Sequence, residues 1–317
     1  MLTHPTHLTS EAIRLLRLWR SGFLREGQTG EHITLLQRAV RTAGYDPGPI
    51  DGIYGWRTRL AHALAWVRYG QQRVGWWEHD GGVRYALRHP DWLADQLDAH
   101  GCDYVVLEAA KWDTNKRFEA IAAPGEIGQL MRHLRRRGIE PHVMLWPIAR
   151  TQFIRDMGRW LRELCDYERP ESVQWDCEGT YFATRTDGGE AELMRLSRML
   201  GPTIGATTYP YGVRRLLDVL SVCDYLAGQY YEQVDPKRGW NHPPGSLMPG
   251  DFGEPDHLDL WCGRAAYRQP TPADAAESFT IAVEAGYPRI CYWSGWWCRR
   301  EDSDVGQMLR RLPVART

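Results

Sequence analysis

The feature that most constrains the fold is an alternation of short apolar segments with amphipathic ones, which begins after Gly70. Eight segments have the length and the β-branched and aromatic content of buried strands. Most of the stretches between them carry apolar residues at helical spacing, as in HPDWLADQLDAHG and GEIGQLMRHLRRRG. The predicted strands are 82–87, 103–110, 141–149, 171–179, 203–211, 224–232, 257–266 and 289–297.

This alternation predicts an α/β fold, and specifically a (β/α)8 TIM-like barrel over residues 73–317. Eight strand–helix units within about 240 residues match the usual size of such a barrel. The connection at 233–256 is rich in Pro and Gly and has no helical pattern. An open α/β sheet is therefore the alternative architecture.

The first part of the chain has a different pattern, which predicts a small all-α module of three helices over residues 1–72. Helical spacing is found in SEAIRLLRLWRSGF, in EHITLLQRAVRTAGY and in WRTRLAHALAWVRYG. The segment DPGPIDGIYG lies between the second and third of these and has the Gly, Pro and Asp content of a structured turn. Leu36, Tyr45 and Ile50 are expected in the core of this module.

The stretch from Gly27 to Gly70 resembles the type 1 peptidoglycan-binding domain. The shared pattern is LQxAxxxxGYDPGPIDGIYGxxT, with Leu36-Gln37-Arg38, Gly44-Tyr45, Pro47, Gly48, Ile50-Asp51-Gly52, Tyr54-Gly55 and Thr58 as the matching residues. The resemblance implies that the partner of this module is bacterial peptidoglycan. The residues expected to serve binding are Tyr45, Asp51, Tyr54 and Arg57.

An acidic pair marks the end of the fourth predicted strand, in Trp175-Asp176-Cys177-Glu178. Catalytic groups of (β/α)8 barrels lie at the carboxyl ends of strands, and residues two apart on a strand face the same side. Two close carboxylates repel each other, which raises the pKa of one of them. A carboxylic acid that is still protonated near neutral pH can protonate a glycosidic oxygen. Asp176 and Glu178 are therefore predicted to be catalytic, with a solvated acidic turn as the alternative.

Further candidates follow from the same rule about strand ends. Glu108 ends the second predicted strand and is a third catalytic candidate, unless it pairs with Lys111. The chain has 15 Trp and 15 Tyr but only 6 Phe, and aromatic rings with a polar handle suit the partly apolar faces of sugars. The predicted substrate-binding residues are Trp146, Trp175, Tyr209, Tyr211, Gln229, Tyr231, Glu232, Trp261, Trp293 and Trp296.

The barrel resembles the glycoside hydrolase family 25 lysozymes and their relatives. The resemblance is carried by the acidic motif Asp176-Cys177-Glu178, by the strand DYVVLEA and by the step Gly-Ile-Glu-Pro into the third strand. It implies that Glu178 is the general acid and Asp176 its partner. The first strand of that family carries an aspartate near its end, which the predicted strand 82–87 lacks, so Glu108 or a later acid would substitute.

Together the two parts predict an endolysin-like peptidoglycan hydrolase that cleaves β-1,4 glycosidic bonds, as a muramidase does. Two mechanisms remain open. The 2-acetamido group of the substrate can act as the nucleophile, or a second acid such as Glu108 or Glu232 can act as nucleophile or base. The alternative functions are a non-catalytic protein that binds cell-wall glycan and an amidase or peptidase that acts on the stem peptide.

Composition limits the partners. A net charge of −1 provides no field for nucleic acid, and no apolar run reaches the roughly 20 residues needed for membrane insertion. The seven cysteines form no CxxC pair and no HExxH motif is present, which predicts free thiols, no metal and no cofactor. A monomer is expected. The amino terminus has no classical signal pattern, so we expect synthesis in a host cytoplasm and release to the wall by another route, as in bacteriophage lysis.

Overall fold

The computed structural model describes residues 24–69, 72–184, 188–231, 234–235, 240–265, 272–300 and 302–310. Two helices of the amino-terminal module lie within this part, α1 (Glu31–Thr42) and α2 (Trp56–Tyr69). The helix predicted in SEAIRLLRLWRSGF lies outside the described residues. Helix α1 buries Ile33, Leu36 and Val40 on one face, and Gly44 follows it with a left-handed φ of 91° that favours glycine.

Eight parallel strands form a closed barrel, because β1 pairs with both β2 and β11. The (β/α)8 prediction is therefore confirmed, and the open sheet is excluded. Strand β3 pairs antiparallel with the end of β2, and β8 pairs with β9 outside the barrel. The strands are β1 (Arg73–Glu78), β2 (Tyr104–Trp112), β3 (Phe118–Ala120), β4 (Glu140–Leu145), β5 (Ser172–Asp176), β6 (Thr203–Thr207), β7 (Tyr225–Gln229), β8 (Val234–Asp235), β9 (Trp240–Asn241), β10 (Asp259–Ala265) and β11 (Arg289–Trp293).

Helices surround the barrel and cover its outer face. They are α3 (Asp80–Arg88), α4 (Pro90–Ala99), α5 (Pro124–Arg136), α6 (Thr151–Tyr167), α7 (Gly179–Ala183), α8 (Gly189–Met199), α9 (Leu217–Leu220), α10 (Pro272–Glu284), α11 (Gly295–Cys298) and α12 (Asp304–Leu309). A 3₁₀ helix spans Pro210–Arg215. The long outer helices have one apolar face each, as the helical spacing in the sequence predicted.

The first predicted strand, 82–87, is wrong. These residues belong to α3, in which Val83 and Ala86 are three positions apart and both buried. The true first strand is β1, with the sequence RVGWWE, and it lies closer to the amino terminus. The first strand therefore does end in an acid, Glu78. That carboxylate is buried, accepts a hydrogen bond from the indole of Trp76 and forms an ion pair with Arg299.

Large aromatic side chains fill the interior of the barrel. Trp261 stacks on Tyr225 with ring centroids 3.9 Å apart, and Tyr104 packs edge-on against Trp261. Gly205 provides the space for this cluster, since a Cβ there would lie 2.0 Å from the Tyr225 ring. The interior is thus a packed core rather than a channel.

A polar network occupies the end of the interior at which the strands begin. Glu140, the first residue of β4, binds Arg289, the first residue of β11, at 2.9 and 3.0 Å. His142 bonds to Ser172 at 2.7 Å, and burial lowers the pKa of His142 to about 3. His142 is therefore neutral near pH 7. Since this network fills the end where the strands begin, a functional site is expected at the opposite end, where the strands finish.

The module contacts the barrel through α2 and α10. Arg59 on α2 donates to Glu277 at 2.7 Å and to Glu284 at 2.5 Å, and the hydrogen bond to Glu284 raises the pKa of Arg59. Helix α2 ends at Tyr69 and β1 begins at Arg73, and the division of the chain into two domains between residues 72 and 73 stays a prediction.

Candidate active site

The acidic pair lies at the carboxyl end of the barrel. Asp176 is the last residue of β5, and Glu178 precedes α7 in an extended conformation. Gln229, the last residue of β7, donates from Nε2 to Oε1 of Glu178 at 2.5 Å and to Oδ1 of Asp176 at 3.2 Å. One amide nitrogen therefore holds both carboxyl groups on the same side of the cleft.

The environment of the pair favours protonation. Burial raises the pKa of Asp176 well above its ordinary value, and the charges of Glu178 and Glu108 raise it further. Burial also raises the pKa of Glu178, against hydrogen bonds from Gln229, Asp176 and Tyr209 that lower it. Both carboxyl groups therefore have raised pKa values, and such a pair favours one shared proton over two full charges.

A second polar pair faces the first one. Glu108 on β2 is buried and bonds through Oε2 to Nδ1 of His79 at 2.9 Å and to the backbone N–H of Asp80 at 3.1 Å. Lys111 bonds to Asp80, not to Glu108, at 2.5 Å. His79 thus stands between Glu108 and solvent, and it was missed in the sequence because β1 was not recognised as the first strand.

Aromatic rings form one wall of the cleft. The ring centroid of Trp293, at the end of β11, lies 4.2 Å from that of His79 and 6.3 Å from that of Tyr231. Tyr209 is 6.2 Å from Tyr231 and stacks on the exposed ring of Tyr211 at 5.5 Å. These four predicted substrate-binding residues are contiguous with the acidic pair, because Tyr209 also hydrogen-bonds Glu178.

The other predicted contacts are placed differently. Trp175 is fully buried between β5 and α8, where its indole donates to Ser197 at 2.9 Å. Trp261 lies in the packed interior, so neither of these two rings is exposed to the cleft. Trp146 is partly exposed beside the interior cluster, and Trp296 lies beyond Trp293 on α11. Glu232 lies outside the described residues.

In the amino-terminal module, most of the predicted binding residues are structural. Tyr45 and Tyr54 are buried, which rules out direct contact with a glycan. Asp51 Oδ1 accepts from Gln37 Nε2 and from the Ile53 N–H, both at 2.9 Å, and so holds the turn. Arg57 is exposed and lies over the ring of Trp56, which is exposed as well and was not predicted.

The remaining sequence predictions concern metals, thiols and membranes. All seven cysteines are free thiols, six of them buried. In the described part of the chain, no group of His, Cys, Asp and Glu side chains has the arrangement of a metal site. No helix among the described residues has the length and apolarity needed to span a membrane.

Comparison with known proteins gives a likeness in fold. No protein-family model and no curated protein sequence matches this chain. The GH18 chitinase ChiB from the chitin utilization locus of Flavobacterium johnsoniae is 11% identical, with a TM-score of 0.51 over 76% of this chain and 94% of that one. The spore cortex-lytic enzyme SleL of Bacillus cereus (9% identical, TM-score 0.49, 77% and 74% covered) and a chitinase-like lectin of tamarind (9%, 0.49, 77% and 100%) also match. The chain thus shares a barrel fold with a GH18 chitinase.

Proposed function

We propose that this protein is a glycoside hydrolase of the bacterial cell wall, which cleaves β-1,4 bonds in peptidoglycan as a muramidase does. The observation that carries the proposal is the pair of buried Asp176 and partly buried Glu178, held by Gln229 at the carboxyl end of the barrel. A shared proton beside a cleft with aromatic walls suits the protonation of a glycosidic oxygen. The fold that the chain shares with a chitinase supports a reaction on sugars, by analogy.

The arrangement favours the mechanism in which the substrate supplies the nucleophile. Two-carboxylate glycosidases place their acids on both sides of the scissile bond, about 5 Å or more apart. Asp176 and Glu178 instead bind one nitrogen from the same side. Glu108 is held by His79 and by the Asp80 N–H, so it is poorly placed as a free nucleophile.

The steps of the proposed reaction follow from the shared proton. When a glycan displaces water, Glu178 takes the proton from Asp176 and delivers it to the leaving oxygen. The acetamido oxygen of the substrate then attacks the anomeric carbon, and the ionised Asp176 stabilises the positive charge that develops on the acetamido nitrogen. Water opens the cyclic intermediate, with Glu178 as the base, and the pair regains its proton.

The proposal predicts the chemistry of the products. Digestion of purified sacculi should release fragments with new reducing ends, and mass spectrometry after borohydride reduction should show muramic acid at those ends. New free amino groups without new reducing ends would instead mean cleavage of the stem peptide. Binding of sacculi without any released fragment would identify a non-catalytic glycan-binding protein.

The proposed role of the module is to hold the enzyme on the wall. We expect Trp56→Ala and Arg57→Ala, made in the full chain, to lower the fraction that sediments with sacculi by severalfold, because both side chains are exposed. The rate on short soluble glycans should stay the same, since the module raises local concentration only. Unchanged sedimentation of both variants would show that this surface is not the binding surface; Arg38→Ala on the exposed side of α1 is the matched control.

A further inference from the structure

A groove of about 780 Å³ lies next to the catalytic cleft, between α11 and the pair of helices α3 and α4. Its lining includes aromatic rings from these helices, those of Tyr85, Trp92, Trp296 and Trp297. We call it the aromatic groove. It adjoins the candidate active site, because His79 and Trp293 also line it, and His79 bonds to Glu108 while Trp293 packs against Tyr231.

Two rings of the groove are open to solvent. Trp296 is 63% exposed and Tyr85 is 42% exposed, which is unusual for side chains of this size. Tyr85 packs edge-on against Trp92 with ring centroids 4.8 Å apart, and the Arg299 guanidinium lies 4.7 Å from the centroid of the Trp92 ring. Flat apolar rings that face solvent suit the apolar faces of pyranose sugars.

Two arginines line the groove, and each is paired with an acid. Arg299 is committed to the buried carboxylate of Glu78. Arg300 lies over the ring of Trp297 at 5.1 Å and pairs with Asp302 at 2.8 Å, with 44% and 68% of the two side chains exposed. Arg300 donates to Asp302 twice, from Nε to Oδ1 at 2.9 Å and from Nη2 to Oδ2 at 2.8 Å, and both side chains are exposed enough for a carboxylate of a ligand to compete with Asp302 for the same guanidinium.

We propose that the aromatic groove binds the part of the glycan strand that extends beyond the cleaved sugar, and that Arg300 selects strands bearing carboxylates. Cell-wall glycan carries such groups on its lactyl ethers and stem peptides, whereas chitin is neutral. This inference rests on the proposed function, since it assigns the substrate class of the same cleft.

The test measures binding separately from turnover, with Glu178→Gln as the background. Calorimetry compares chitin oligosaccharides with muramic-acid-containing fragments of equal length. Trp296→Ala should lower the affinity for both kinds of oligosaccharide by about tenfold, because stacking on a ring does not depend on charge. Arg300→Gln should lower the affinity for the acidic fragments alone by about threefold to tenfold, and it should make their binding less dependent on salt. Asp302→Asn, the matched variant, should raise the affinity for the acidic fragments and leave the affinity for chitin oligosaccharides unchanged.

Two results would overturn the inference. One is unchanged affinity of Trp296→Ala for both ligands, which would place the strand elsewhere. The other is an equal effect of Arg300→Gln on neutral and acidic ligands, which would remove selection by charge. Failure of the proposed function is recognised separately. The binding effects of Trp296→Ala and Arg300→Gln would then be as expected, but the wild-type protein would release no reducing ends.

Discussion

Glu178→Gln should lower the rate of glycan hydrolysis by roughly 10²–10⁴, the range typical for loss of a general acid–base group. The amide keeps the shape of the side chain and its contact with Gln229, but it cannot deliver a proton. Release of reducing sugar from sacculi and from a soluble glycan measures the effect.

The controls for Glu178→Gln separate chemistry from folding. Glu163→Gln makes the same replacement on the exposed face of α6 and should retain full activity. The melting temperature of Glu178→Gln should stay within a few degrees of the wild type, because the side chain is only partly buried. Near wild-type release of reducing sugar by Glu178→Gln would refute the assignment, and the acid would then have to be sought at Glu108 or Glu232.

Asp176→Asn should also reduce turnover by about tenfold or more, because the variant can neither pass a proton to Glu178 nor stabilise the charged acetamido group. Its pH profile is the more specific result. In the wild type the pair keeps its proton up to the raised pKa of Asp176, and in the variant Glu178 must hold the proton alone. The alkaline limb of the activity profile should therefore move to lower pH.

The same substitution should change stability in the opposite sense to activity. Asp176 has a higher pKa in the folded protein than its value of about 3.9 in the unfolded chain, so its contribution to stability is present below that value and is lost as pH rises toward the folded pKa. Asn is neutral throughout. Relative to the wild type, the variant should thus gain stability as the pH rises.

Thermal unfolding at pH 4 and pH 8 tests this effect on stability. Asp166→Asn on the exposed side of α6 serves as the control and should show no such trend. An Asp176→Asn variant that is less stable than the wild type at pH 8 would mean that the buried carboxyl group contributes favourable hydrogen bonds that outweigh its burial.

The sequence was sufficient for the barrel and for the position of the acidic pair, because both depend on local periodicity. Asp176 and Glu178 follow from the two-residue repeat of a strand. The same repeat places Trp175, one residue before Asp176, on the opposite face of β5, where it faces the helices. Trp261 lies in the middle of β10, and only residues at strand ends reach the cleft.

The missing parts of the site depend on contacts between distant segments. Gln229 was expected to touch substrate, but its link to both carboxyl groups requires the spatial order of β5 and β7. His79 was missed because the tryptophans of RVGWWE are buried on both faces of β1, which obscures the alternation of a strand. The resemblance to family 25 lysozymes rests on the acidic motif, the strand DYVVLEA and the step Gly-Ile-Glu-Pro, and it stays a prediction.

The pairing of β1 with β11 sets an order of events during folding. The barrel cannot close until residues 289–293 have left the ribosome, and until then β1 and the preceding strand β10 each present an unpaired edge. Trp293 belongs to that closing strand and contacts His79 across the seam. A nascent chain therefore has no complete cleft before β11 is synthesised, and the proposed hydrolytic activity can begin only once that strand is in place.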